Sequence, residues 1–105
     1  MSTQSTFEQQ YDYYDQVRQD LGLKAIWSLY EVENLSDRHL FAGVETVTYK
    51  NHWGNRPIVK AIAGGTWAAL YVAADAAIRD SGDQHHVFIE QFKQVGNTLL
   101  LTTGS

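Results

Sequence analysis

The stretch from Gly64 to Gly82 leaves this chain the least freedom. Gly64-Gly65-Thr66 interrupts what precedes it and offers a hydroxyl as helix N-cap. Trp67, Leu70, Tyr71, Ala74 and Ile78 then recur at spacings of three and four, the signature of one apolar helical face. Ala68, Ala69, Ala73, Ala76 and Ala77 favour the helix and keep it thin, so it can approach a sheet or another helix closely. Asp75 and Arg79 stand four apart, a favourable pair worth about 0.3 kcal/mol on a helix surface. Ser81-Gly82 ends the run.

A hairpin follows the helix. His86 to Val95 and Thr98 to Thr103 flank Gly96-Asn97, a two-residue turn that pairs Phe92 with Leu101 and Gln94 with Leu99. Upstream, Ser5-Thr6-Phe7-Glu8 has the spacing of a capping box and Gly22 is a natural stop. Between them Phe7, Tyr11, Tyr14, Val17 and Leu21 mark an apolar face that excludes Tyr13. Ala25 to Glu33 alternates and is rich in β-formers, so it reads as a strand. After the loop Asn34 to His39 comes a second strand, Val44 to Lys50, with Val47 and Tyr49 on one side. Asn51 to Pro57 is a loop by composition, and Ile58 to Ile62 a short third strand.

The resulting order is α-β-β-β-α-β-β. It predicts an α+β fold: a mostly antiparallel sheet of four to five strands with both helices packed on it. A length of 105 residues allows one domain, 1–105, with the small polar residues 1–5 expected to be disordered.

The charge of −4, with few and scattered basic residues, lacks the electrostatic footprint of a nucleic-acid binder. The absence of cysteine excludes disulfides, thiolate metal sites and a cysteine nucleophile. Met1 to Thr6 has neither the basic nor the apolar region of a signal peptide, and no apolar run approaches a membrane span of ~20 residues. A cytoplasmic protein without membrane contact is the expectation.

Titratable residues gather at Asp75, Asp80, Asp83, His85, His86 and Glu90. His86 and Glu90 share a face of an extended strand but stand ~13 Å apart, and His85 and His86 point to opposite sides. That spacing argues against a metal site, and nothing points to a cofactor. His86, Glu90 and Asp75 stay as candidates for acid–base catalysis; a structural role for the histidines, fastening the helix–strand turn, outweighs it. Gly64-Gly65-Thr66 has the form of an anion site at a helix start, though without either glycine-rich phosphate fingerprint. His52, Trp53 and Arg56 make the loop before the third strand a candidate ligand contact. Tyr11, Tyr14, Trp27, Trp53 and Trp67 are the expected walls of a pocket between helix and sheet.

From Trp67 through Ala74-Asp75-Ala76-Ala77-Ile78 and Ser81-Gly82-Asp83-Gln84-His85-His86-Val87-Phe88-Ile89-Glu90 to Leu101-Thr102-Thr103-Gly104-Ser105, the chain resembles the small integron cassette proteins of bacterial mobile genes. The likeness falls mainly within residues 64–105. It implies a cytosolic bacterial protein, often a homo-oligomer and sometimes with a small-molecule pocket, and it transfers no functional residue. The combined expectation is a homo-oligomeric interaction or small-ligand-binding protein. The alternative is a small hydrolase or isomerase using histidine and carboxylate.

Overall fold

A computed structural model of the chain describes residues 6–29, 31–50, 56–82 and 87–104, with only the backbone of Thr6 and Phe7. Its elements are α1 (Thr6–Leu21), β1 (Ile26–Trp27), β2 (Thr46–Tyr49), β3 (Ile58–Ala61), α2 (Trp67–Ser81), β4 (Phe88–Val95) and β5 (Thr98–Gly104). This is the expected α-β-β-β-α-β-β order. Helix α2 begins where the sequence places it, with the Thr66 hydroxyl accepting from the Ala69 amide. It runs three residues beyond Ile78 and stops at Gly82, which takes the left-handed φ of 77° that a side chain disfavours.

The five strands lie in the order β1-β4-β5-β2-β3. The sheet is mixed rather than mostly antiparallel by strand pair. Hairpin neighbours β2–β3 and β4–β5 are antiparallel, whereas β1–β4 and β2–β5 are parallel. Both parallel pairs join strands on opposite sides of α2 in the chain. The helix crosses over and returns the chain in its original direction, as a parallel pairing requires. Phe92 pairs with Leu101 and Gln94 with Leu99, as the turn predicts. Gly96, at φ 62°, supplies the positive φ that this turn needs at its first central position.

Trp27 is the hub of one apolar core. It is fully buried, its ring 5.2 Å from Tyr71, 5.8 Å from Phe92, 6.1 Å from Trp67 and 6.4 Å from Tyr14. Val47, Tyr49, Leu99 and Leu101 extend the same layer under α2.

Three departures from the sequence pattern have identifiable causes. The strand expected over Ala25–Glu33 survives only at Ile26–Trp27. Beyond it, the Tyr14 hydroxyl donates to the carbonyls of Leu29 and Val32, Gln10 Nε2 to those of Val32 and Glu33, and Trp27 Nε1 to that of Leu29. Side chains have taken the carbonyls that a sheet partner would use, and Leu29, Val32 and Leu35 bury themselves at a spacing of three. The same segment rotates the buried face of α1. Tyr13 packs on the core and binds Asn34 and Leu35 through its hydroxyl, while Tyr11 and Leu21 are exposed. Finally, the β4–β5 register shifts between Ile89 and Gln91. The extra residue, Glu90, puts Ile89 and Phe92 on one buried face, which strict alternation forbids. Among the described residues no helix is long and apolar enough to cross a membrane.

Candidate functional site

Asp75 lies on the apolar stripe of α2, four residues after Tyr71 and three before Ile78, and is fully buried. The alanines around it bring the helix close enough for its carboxylate to reach the backbone between α1 and β1. Oδ1 accepts from the amides of Lys24 and Ala25, each at 2.8 Å. One turn earlier the Tyr71 hydroxyl donates to the Ala25 carbonyl. Burial pushes the Tyr71 pKa far above its usual value, so this group stays a neutral donor. Helix α2 thus holds both backbone groups of Ala25.

The other oxygen, Oδ2, is 2.8 Å from Arg79 Nε, yet the N–H is not aimed at it and no hydrogen bond forms. The pair is an ion contact with misaligned donors. The Arg79 side chain is 48% exposed and makes no other polar contact among the described residues. No described residue takes its terminal nitrogens.

These groups border a recess of about 320 Å³. Ala25, Ile78 and Val87 form its apolar wall, Asp75 its floor, and Arg79, Lys24 and Gly82 its remaining border. Its size falls at the small end of the range for small-molecule sites. Among the described residues, Lys24 and Arg79 are the two basic residues on its border and Asp75 the one acid.

The opposite end of α2 is closed. Its first amides are taken one by one: Trp67 by the Asp37 carbonyl at 3.0 Å, Ala68 by Leu35 at 2.8 Å, Ala69 by the Thr66 hydroxyl at 3.2 Å and Leu70 by the Thr66 carbonyl at 3.3 Å. An anion at Gly64-Gly65-Thr66 would find no free amide among them. A wider recess of about 490 Å³ lies beside this end, between Gly64-Gly65 and the loop Arg38 to Val44. There the Arg38 guanidinium lies over Gly65. His39 stacks its ring near Phe41 and Trp67 and accepts from the Phe41 amide through Nδ1. Burial, with Arg38 beside it, pushes the His39 pKa below its usual value.

Of the candidate catalytic and ligand-binding residues that are described, Asp75 alone borders the smaller recess. Glu90 is exposed in the β4 bulge, its carboxylate against Gly104. Tyr14 and Trp27 are interior, with their polar groups bonded inside the fold. The crevice they share with Tyr11 holds no water-sized space. Trp67 is half-buried against Trp27, His39 and Phe41. Arg56 is exposed. His52, Trp53, His85 and His86 lie outside the described residues, as do residues 1–5. Among the described residues no group of histidine and carboxylate side chains is placed to hold a metal ion.

Sequence reading missed Lys24 and Val87 at the recess and passed over Arg38 and His39. One signal was present for Asp75: a carboxylate in register with an apolar stripe must find buried partners.

No protein-family model matches the chain, and no curated protein or solved structure matches it either.

Proposed function

We propose that this protein binds a small organic anion with an apolar body in the recess between α2 and the α1–β1 connection, and that it does so without catalysing a reaction. One observation carries the reading: the buried Asp75 carboxylate sits against Arg79 at Nε, while no described residue takes the terminal guanidinium nitrogens. A guanidinium so placed offers a fork that matches a carboxylate or phosphate. Lys24 adds a second positive charge, and Ile78 and Val87 supply the surface for an apolar tail. Binding is favoured over catalysis because one oxygen of Asp75 is committed to two backbone amides.

The test is a thermal-shift series on matched probes: 4-methylpentanoate, 3-methylbutylamine and 3-methylbutanol. A ligand that binds only the native state raises its apparent stability. The carboxylate should raise the melting temperature in the wild type and lose that effect in Arg79→Ala. An equal response to the amine or the alcohol, or none to the carboxylate at saturating concentration, would sink the reading.

A further inference from the structure

The helices cover one face of the sheet, and the composition of the other face is unusual for a solvated surface. Reading across the strands at the registered positions, one row is Lys93, Leu100, Thr48 and Val59, from β4, β5, β2 and β3 in turn. The next is Val95, Thr98, Thr46 and Ala61. A sheet face turned to water normally carries polar and charged side chains. These two rows hold one charge, Lys93, and no acid. Val59 is 55% exposed, Val95 50% and Leu100 39%.

The polar groups of this face are already satisfied. The Thr46 hydroxyl donates to Thr98 Oγ1 at 2.8 Å, Thr48 Oγ1 lies 2.8 Å from the same oxygen, and Thr98 also reaches the Thr46 carbonyl. Hydroxyls tied to one another leave methyl groups outermost and cost little to bury. Lys93 stands on the free edge of β4, because β1 pairs only with Phe88 and Ile89. From there its ammonium reaches water past a covering partner.

We infer that this face packs against the same face of a second copy, forming a two-fold dimer with aligned sheets. Two features single out a second copy, and the area of the patch sets how tightly it pairs. The patch is nearly neutral in a chain of charge −4, so two copies meet where their mutual repulsion is weakest. Stacked sheets interdigitate short branched side chains such as Thr, Val and Leu at ~10 Å separation, a mode in which one surface complements itself. Two rows across four strands ~4.8 Å apart, with β2 and β3 only four residues long, cover about 250 Å² in plan, and side-chain relief brings this to roughly 400 Å² per copy. A pair then buries about 800 Å², the size of a weak, reversible contact.

The experiment is sedimentation equilibrium on the wild type and on Leu100→Glu, Val59→Glu and Leu40→Glu, with circular dichroism to confirm folding. Leu40, 87% exposed, lies away from this face and serves as the control. With rising protein concentration the wild type and Leu40→Glu should approach twice the chain mass of 11.9 kDa, while Leu100→Glu and Val59→Glu stay at one chain mass with unchanged secondary structure. Hydrogen exchange on the wild type covers a variant that fails to fold: strands β5 and β2 should lose protection on dilution. A wild type that is monomeric at all concentrations overturns the inference. So does a dimer that survives both face substitutions, or one whose dilution leaves β5 and β2 unchanged.

Discussion

The two ends of α2 have the same helix between them and opposite fates. At the N-terminal end every early amide has a partner, from the Thr66 cap or from the carbonyls of Leu35 and Asp37. Trp67 and His39 pack beside it. Toward the C-terminal end, Asp75 is drawn inward by two amides, and Arg79 is left half-exposed over a recess of about 320 Å³. A glycine pair before a helix looks like a binding signal, yet here it serves the fold. An acidic residue in an alanine-rich helix looks like a surface pair, yet it underlies the candidate site. Hydrogen-bond accounting, rather than residue type, tells the two apart.

The largest effect separating the ends should come from Asp75→Ala. It strands the Lys24 and Ala25 amides and removes a buried charge from its partners, so a loss of about 3–5 kcal/mol is expected in chemical denaturation. A loss below about 1 kcal/mol would mean that the carboxylate is not the fastening described. Arg79→Ala should cost only about 1 kcal/mol, since its side chain is half-exposed, while weakening carboxylate binding at least ~10-fold. Calorimetric titration reads the second effect. Thr66→Ala should cost about 1 kcal/mol through the lost cap and leave ligand affinity as it was. A change in affinity there would return the site to the N-terminal end.

The smallest effect concerns pH. The folded pKa of His39 lies below its ordinary value of 6.5, so the unfolded chain binds more protons as pH falls through that value. Stability from the neutral ring is present above this window and is lost as pH drops through it. Denaturation curves at pH 7.5 and 5.5 should therefore converge in His39→Gln relative to the wild type. An identical pH dependence in both proteins would contradict the assignment.

How much of this was legible follows from the range of the interactions. Thr66, Gly82 and Gly96 act within a few residues, so the helix ends and the hairpin register could be read directly. The shortness of β1 could not: its would-be ladder carbonyls are taken by Tyr14 and Gln10, both far away in the chain. The parallel pairs depend on where α2 returns the chain, and the bulge at Glu90 on which residues the core accepts. The site divides in the same way. Asp75 and Arg79 were visible as a pair four apart, but Lys24, Ala25 and Val87 join them only through tertiary contact. Tyr14 and Trp27, chosen as pocket walls for their size, were needed by the core instead.

The most direct test of the binding claim is an amide NMR titration of the wild type with 4-methylpentanoate. The account predicts shift changes confined to the neighbourhood of Lys24, Ala25, Ile78, Arg79, Gly82 and Val87, with Trp67 to Leu70 unmoved. Changes centred on Gly64 to Leu70, or none up to saturating ligand, would contradict it.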